Sequence, residues 1–485
     1  MKLIFDSTTS LRWAYEEPVG TLRVERVLLS ELDRLVGADT FVFANCDQNR
    51  FVHAGQHERD LMLMMARSPL QRLKRDDAPD EIWQDSAEGM PLGNPASRSR
   101  FLQRHPAIKR AVNAVLERYP RELREPARLA AVKAYVGMVE SIRFGSRALR
   151  ARMTTGRASQ GPAATIPAID HANTDRERIA TDFSGCTDLL TVANGWDYLG
   201  YESLARMRDE FGIRIHGFVH DLIAVDQPYF FHDPKTSSIL HRHYAELAHL
   251  CATLVCNSHA TAAALEHFID MESLPKPKIS VSQLGAFVGA EGSEHLERPE
   301  GAPEGSFVMF VSTIEIRKNH RMLLRVWREA VVEAERAGLG FPMLLIIGRV
   351  GWGVQEVMNM IETDDILSRY VRVLSGISDP QLGWLYANCL FSVYPSIIEG
   401  WGLPISEAMA QGRPVLHSSD PAQIEASQGL MPTVHPDDFM GWKREIHSLV
   451  SDGARRTRLE RAIATHFKPR NRQQFAQDLL DAISG

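Results

Sequence analysis

The sequence predicts an α/β protein with two doubly wound parallel sheets, and three observations support this fold class. Short apolar runs without polar alternation recur along the chain, as expected for strands buried on both faces. Amphipathic stretches long enough for helices lie between these runs. The chain has 485 residues, of which 44% are hydrophobic and 24% are charged, so it can form more than one core.

The alternation is clearest from residue 305 onward. The predicted strands there are, in order, SFVMFVST, PMLLIIG, VRVLSG, FSVYPS, PVLHSS and PTVHP. Helices are predicted over 319–337, near 354–362, from Asp379, from Pro404 and after PVLHSS. Strands and helices that alternate in this way form a parallel sheet covered by helices.

The N-terminal part repeats the pattern less regularly. Its predicted strands are KLIFDS, TFVFANC, DLLTVANG, RIHGFVHD, TLVCNSH and KISVSQLGA, with a helix over 21–37. An arginine-rich helical insertion over about 56–180 interrupts the series, and the Gly/Glu/Pro-rich stretch 289–305 marks a junction. We therefore predict a Rossmann-like N-terminal domain over 1–290 and a second Rossmann-like domain over 305–471.

Cysteine content, hydropathy and charge limit the function classes. Five cysteines without a C-x-x-C pair predict neither a disulfide framework nor a zinc knuckle. No run approaches the roughly 20 apolar residues of a membrane span, and Asp6 interrupts the apolar start that a signal peptide needs, so we expect a cytoplasmic protein. The net charge of -6 argues against nucleic-acid binding.

Positive charge is concentrated in residues 98–157. This segment holds 15 Lys plus Arg against 4 Glu, a balance of +11, which leaves -17 on the remainder of the chain. One hypothesis is that the segment binds an anionic membrane surface on the inner face of the cytoplasmic membrane. A solvated helical insertion or an oligomer contact is an equal alternative.

Two glutamates flank a glycine-rich bend in EGWGLPISE, residues 399–407. The predicted strand FSVYPS ends just before Glu399, and ligands of parallel sheets bind at the carboxyl ends of strands. Pro404 suits the first position of the helix that carries Glu407. Backbone N–H groups of this turn, together with the helix N-terminus, would form a site for an anion or a hydroxyl group.

Other interpretations of the same segment are weaker. A dinucleotide fingerprint requires glycine where Ile405 stands, and Pro404 lacks an amide hydrogen. The two carboxylates of a retaining glycosidase lie about 5 to 5.5 Å apart across one sugar. A carboxylate on a turn and another on the following helix are better placed to hold two parts of one ligand. Considered singly, each glutamate is equally compatible with a solvated loop or helix-start residue.

The segment EGWGLPISEAMAQGRPVL resembles the E-x7-E motif of glycosyltransferase family 4. Other segments resemble the same family in the same order: VHDLIAVDQPYFF, LVCNSHATAAAL, STIEIRKNH, LLIIGRVGW and VRVLSGISDPQLGWLYANC. The resemblance covers roughly residues 210–485, with a weaker match at PVGTLRVERVLLSEL. It implies the GT-B fold, a cleft between the two domains, and a C-terminal helix over 472–485 that packs on the N-terminal domain.

The resemblance also implies roles for individual residues. Glu407 would bind the ribose hydroxyls of a nucleotide sugar, and Lys318 with Arg317 would bind its diphosphate. His220 would contact the donor sugar at the reaction centre. Glu399 would hold the donor sugar together with the backbone that follows it, namely Gly400, Trp401, Gly402 and Leu403.

Further positions complete the predicted donor site. Gly20 would let its loop approach the diphosphate, and Ile377 would offer its backbone to the base. Arg349 is a donor-binding candidate in the GRVGW loop. Where many relatives have an arginine for the diphosphate, this chain has Ser312 and Thr313.

The resulting prediction is a retaining glycosyltransferase that transfers a hexose from a nucleotide sugar, with GDP-mannose favoured, to a saccharide or lipid-linked saccharide. No cofactor is expected besides the donor. No metal is expected either, because fixed cations and amide dipoles would neutralise the leaving diphosphate. The HDL and GRVGW segments resemble mannosyl- and rhamnosyl-transferases of bacterial surface polysaccharide synthesis. A sugar phosphorylase or glycosidase of related fold and a catalytically silent nucleotide-sugar-binding protein are the alternatives.

Overall fold

Two sheets organise the part of the chain that the structure describes. In this computed structural model the described residues are 2–12, 20–37, 41–47, 50–53, 182–192, 199–231, 233, 235–288 and 296–485, with single residues between 58 and 65 and at 179. They belong to one unit, which comprises Met1–Pro79 and Asp175–Gly485. The predicted insertion over 56–180 lies almost wholly outside the described residues, and its basic segment 98–157 lies entirely outside them. The membrane hypothesis therefore stays a prediction.

The first sheet has seven strands in the order β3-β2-β1-β4-β5-β6-β7. Their bounds are β1 Leu3–Asp6, β2 Phe41–Asp47, β3 Arg50–His53, β4 Asp188–Thr191, β5 Arg214–Val219, β6 Thr253–Cys256 and β7 Lys278–Val281. All neighbours pair in parallel except β2 and β3. Only two residues separate β2 from β3, and so short a connection permits only an antiparallel hairpin.

The second sheet has six strands in the order β10-β9-β8-β11-β12-β13, all parallel. Their bounds are β8 Phe307–Val311, β9 Met343–Ile347, β10 Val371–Leu374, β11 Ser392–Tyr394, β12 Val415–Ser418 and β13 Thr433–Val434. The central strands are buried along nearly their whole length because helices cover both faces.

Helices connect the strands of both sheets. In the first half they are α1 Thr8–Arg12, α2 Thr21–Val36, α3 Tyr201–Phe211, α4 Ile223–Asp226, α5 Lys235–Leu250 and α6 His259–Met271. In the second half they are α7 His320–Arg336, α8 Gln355–Thr363, α9 Leu367–Tyr370, α10 Asp379–Asn388, α11 Leu403–Ala410, α12 Pro421–Ala426, α13 Phe439–Ser451, α14 Gly453–His466 and α15 Arg472–Ser484. The described residues also form two short 3-10 turns, Pro228–Phe230 and Ile316–Lys318.

The last helix, α15, returns to the first sheet. It begins at Arg472 because Asn471 and Gln474 form a capping box that satisfies two helix-start amides. Its buried face contacts α2, β6 and β7. A hydrogen bond of 3.0 Å from the Ala286 amide to the Arg470 carbonyl joins the two stretches of chain that run between the sheets.

The predicted fold class of two doubly wound parallel sheets is confirmed. The strands differ from the prediction in one respect, since β3 adds an antiparallel strand at the edge of the first sheet. The domain limits 1–290 and 305–471 stay predictions. None of the described helices is long and apolar enough to cross a membrane.

Candidate active site

The glycine-rich turn between β11 and α11 lies directly against the first sheet. A Cβ atom on Gly400 would stand 2.2 Å from the carbonyl oxygen of His220, so only glycine fits there. The Gly400 carbonyl accepts hydrogen bonds from the Ser258 hydroxyl at 2.7 Å and the Thr261 hydroxyl at 3.2 Å. Gly402 has a φ of 116°, which residues with a Cβ rarely adopt. The predicted site therefore includes a contact between the two halves of the molecule.

Glu399 lies at the centre of a cluster of charges. Its two carboxylate oxygens accept hydrogen bonds from Lys318 Nζ at 2.5 Å and Arg317 Nη1 at 2.6 Å. Arg317 Nε also pairs with Glu315 at 2.8 Å. Although burial acts in the opposite direction, the two cations lower the pKa of Glu399 to about 2. The carboxylate is therefore ionised at neutral pH, and the cations predicted to bind diphosphate are held beside it.

His220 follows β5 and is partly buried. Its ring Nε2 lies 2.7 Å from the Val192 carbonyl oxygen, and because a carbonyl only accepts, Nε2 donates. Burial lowers the pKa of His220 to about 4, so the ring is neutral at pH 7. The neutral ring then carries a lone pair on Nδ1, which is an acceptor for a hydroxyl group.

Glu407 lies on the buried face of α11 and is 1% exposed. Its Oε2 accepts a hydrogen bond from the Tyr386 hydroxyl at 3.2 Å. Its Oε1 lies 3.3 Å from Nη2 of Arg23, which belongs to α2 of the first half. Burial raises the pKa of Glu407, whereas Arg23 lowers it, and burial dominates. Glu399 and Glu407 thus occupy separate environments at opposite ends of one turn.

The remaining predicted positions have less specific surroundings. Trp401 is buried and donates from Nε1 to the Ser406 hydroxyl at 3.2 Å, within its own segment. Ser312 Oγ lies 3.2 Å from His320 Nε2. Gly20 precedes α2 with a φ of 55°, and no heavy atom lies within 4 Å of the point that a Cβ would occupy. The other three are exposed or partly exposed: Arg349, Ile377 and Leu403.

Three polar residues near the site were not predicted to take part. Arg23 contacts both Glu407 and Asp379. Asp379 was expected only to begin a helix, which it does. Glu425 lies inside α12 and accepts the His259 amide hydrogen of α6 at 2.9 Å. The sequence shows only that Arg23 is a cation in the first turn of a predicted helix, where it opposes the macrodipole, and this does not identify its partner.

Charged side chains at the site come mainly in pairs of opposite sign. Among the residues that the structure describes, no group of three or more His, Cys, Asp or Glu side chains is placed to hold a metal ion. The arrangement brings together the carboxylates of Glu399 and Glu407, the cations of the 3-10 turn Ile316–Lys318, Arg23 of α2 and the neutral imidazole that follows β5. Such a set can bind hydroxyl groups and an anion at adjacent positions.

Sequence comparison identifies the domain that carries the turn. Residues 305–452 match the family model described as Glycosyl transferases group 1. This segment belongs to the group 1 glycosyl transferases. The predicted family resemblance is thereby confirmed. Of the predicted site, the glycosyltransferase domain contains every residue except Gly20 and His220, which lie in the N-terminal half.

Relatives of the chain include two mannosyltransferases of Escherichia coli. O-antigen chain mannosyltransferase B of Escherichia coli is 31% identical over 159 residues, which cover 33% of this chain and 40% of that protein. Serotype-specific mannosyltransferase WbdA of Escherichia coli is 28% identical over 305 residues, 62% of this chain and 35% of that protein. The chain therefore matches less than half of the length of either relative.

A solved structure with the same architecture covers the whole chain. The crystal structure of Anabaena HepE in complex with UDP and glucose aligns with a TM-score of 0.55 and 13% identity, over 100% of this chain and 99% of that chain. At this identity the likeness concerns the fold alone. It confirms the predicted GT-B architecture of the glycosyltransferase domain and its N-terminal partner.

Proposed function

We propose that the chain is a retaining glycosyltransferase that transfers a hexose from a nucleotide sugar to a saccharide or lipid-linked saccharide acceptor. The observation that carries this proposal is the pairing of Glu399 with Lys318 and Arg317 on a turn that abuts the end of β5 at His220. The mannosyltransferase relatives favour a mannosyl donor, and GDP-mannose is the donor we propose. HepE, which shares the fold, was crystallised with UDP, so both nucleotides belong in the tests.

In this proposal each charged group has one part of the donor to bind. Ribose hydroxyls donate to Glu407, and the diphosphate accepts from Lys318 and Arg317 as negative charge develops on it. Glu399 lies beside these cations, where its carboxylate stabilises positive charge on the anomeric carbon. His220 accepts a hydroxyl hydrogen of the sugar on Nδ1. In this proposal Lys318 and Arg317 supply the charged N–H donors to the diphosphate, and no metal ion is required.

The proposed reaction exchanges one bond at the anomeric carbon. The acceptor hydroxyl oxygen bonds to that carbon while the bond from carbon to diphosphate oxygen breaks. The hydroxyl proton passes to the departing diphosphate on the same face of the sugar. Attack and departure on one face give a product with retained anomeric configuration. Exclusion of water between the two halves limits hydrolysis of the donor.

A thermal-shift screen followed by product analysis tests the proposal. GDP, UDP, dTDP and ADP sugars are compared, because a ligand that binds the native state raises its melting temperature. The favoured donor is then incubated with candidate acceptors with and without EDTA, and the anomeric configuration is read by NMR. We expect GDP-mannose to give the largest shift and retention of configuration to persist in EDTA.

The alternatives predict different results in the same assays. A phosphorylase would cleave an oligosaccharide with inorganic phosphate and bind no nucleotide sugar. A silent binding protein would give a thermal shift without transfer or hydrolysis. An inverted product, or activity that EDTA abolishes and magnesium or manganese restores, would refute the mechanism proposed above.

A further inference from the structure

Arg23 of α2 lies between two carboxylates of the opposite half of the molecule. Its Nη2 is 3.3 Å from Glu407 Oε1 and 3.4 Å from Asp379 Oδ1. Its guanidinium carbon lies 5.9 Å from the ring centre of Phe287, and its side chain is 13% exposed. One cation from the N-terminal half therefore occupies the space in front of the carboxylate that we assign to ribose.

The contact with Glu407 is an ion pair without good hydrogen-bond geometry. Within the described part of the chain, Glu407 Oε1 accepts no hydrogen bond of good geometry, although the atom is fully buried, and the Phe287 backbone amide interacts with the carboxylate and lowers its pKa. The other oxygen of the carboxylate is satisfied by Tyr386. A ligand hydroxyl could give Oε1 the aligned hydrogen bond that the guanidinium does not, and buried polar atoms gain most from such a bond.

The position of Arg23 in its helix also favours its displacement from Glu407 by a ligand hydroxyl. Arg23 is in the first turn of α2, where the helix macrodipole favours anions and disfavours cations. The two carboxylates offset this cost in the ligand-free protein. A ribose hydroxyl bound to Glu407 would deprive Arg23 of one of these two carboxylates, because the guanidinium and the hydroxyl would compete for the same oxygen.

We propose that Arg23 closes the nucleotide site of the ligand-free protein and that a nucleotide must displace it from Glu407 to bind. The inference rests on the proposed function, since it assumes that Glu407 receives a ribose. It assigns to Arg23 the role of a competitor that sets nucleotide affinity. Only the fraction of molecules in which Arg23 has left Glu407 is competent to bind, and the apparent dissociation constant rises accordingly.

Binding of free GDP and UDP to Arg23→Met tests this role. Met keeps most of the apolar volume of the side chain but removes the charge. We expect the dissociation constant from calorimetry to fall about three- to tenfold relative to wild type. Stopped-flow measurements should show that the gain comes from faster association, because in wild type Arg23 must leave Glu407 before the nucleotide can bind. If Arg23 instead contacted the bound nucleotide, its substitution would speed dissociation. Arg34→Met is the matched control, since Arg34 is an exposed cation on the same helix that pairs with Glu31.

Arg23→Lys is the second variant, and it keeps the test available if the Met variant does not fold. A lysine ammonium is a single point charge on a shorter side chain. We expect Arg23→Lys to increase nucleotide affinity in the same direction but by less than Arg23→Met. Unchanged or weaker nucleotide binding in the folded Arg23 variants would overturn the inference while leaving the proposed function intact. If no nucleotide binds wild type or any variant, the proposed function fails and the inference fails with it.

Discussion

Glu399 and Glu407 differ in the groups that neutralise them. Glu399 is paired with two cations of its own half, and these keep its pKa low. Glu407 is covered by a tyrosine hydroxyl and by a cation of the other half, and burial keeps its pKa raised. The first carboxylate is therefore neutralised within its own half, whereas the second shares a cation with the other half. This difference suits a transition-state role for Glu399 and a ligand-binding role for Glu407.

Substitution of the two glutamates should separate these roles. Glu407→Ala should weaken GDP or UDP binding by about 1.5 to 3 kcal/mol, the value of a hydrogen bond to a charged group. Glu399→Gln should lower kcat and leave affinity for the free nucleotide unchanged or raised, because Lys318 and Arg317 then lose a competing anion. Calorimetry with free nucleotide and steady-state kinetics measure both effects. Equal losses of nucleotide affinity in the two variants would contradict the assignment.

His220 provides a prediction about pH. Its folded-state pKa of about 4 lies below the usual 6.5, so between these values the unfolded chain binds a proton that the folded protein does not. Stability due to this residue is present above pH 6.5 and is lost as the pH falls toward 4, by up to about 1.4 kcal/mol per unit. Urea unfolding at pH 7 and pH 5 should show a smaller loss in His220→Gln than in wild type. The same loss in both proteins would exclude a lowered pKa of His220 in the folded protein.

At the scale of elements, the turn that bears Glu399 is positioned by the strand end and helix start opposite. A methyl group at Gly400 would meet the His220 carbonyl, and the backbone there is fixed by β5. We expect Gly400→Ala to reduce transfer about 100-fold through misplacement of Glu399, and to cost about 1 to 3 kcal/mol of stability. Gly340→Ala is the control, because no heavy atom lies within 4 Å of a Cβ there. Activity near wild type in Gly400→Ala would show that the turn is free to move.

Strands and helices could be predicted where the residues of the element themselves carry the signal. Buried runs such as MLLII and FVMFV identified the central strands, and Pro404 marked the start of α11 to within a residue. The strand β3 was missed because four residues of a short hairpin give no distinct periodicity. Arg23 was missed for a different reason. Its partner Glu407 is far away in the sequence, and no local pattern reveals a contact that exists only after both halves have folded.

At the scale of the whole molecule, Glu425 of α12 joins the two halves. Its carboxylate accepts the amide hydrogen of His259 at the start of α6 and a hydrogen from Gln283 Nε2 at 2.5 Å. It therefore acts as a helix cap supplied from the opposite half, where the macrodipole favours an anion. This contact should stabilise the pair of domains rather than either domain alone.

Removal of this cap should lower the stability of the folded protein. We expect Glu425→Ala to lower the free energy of unfolding by about 1 to 2 kcal/mol, the usual value of a helix cap. Glu362→Ala, at an exposed position of α8, is the control and should have little effect. Denaturant unfolding followed by circular dichroism gives both values. Equal stability of the two variants would show that the interdomain cap contributes nothing.

Main-chain atoms form part of the junction between the two halves. The carbonyls of Gly400, His220 and Arg470 and the amide of Ala286 all lie at this junction, and such atoms do not change when side chains do. Recombination between related enzymes should therefore be permissive here. A hybrid that joins the first half of this chain to the second half of a relative should fold if it keeps a glycine at 400, hydroxyl side chains at 258 and 261 and the carboxylate of Glu425. Its donor preference should follow the second half, and a donor screen of such hybrids would show whether it does.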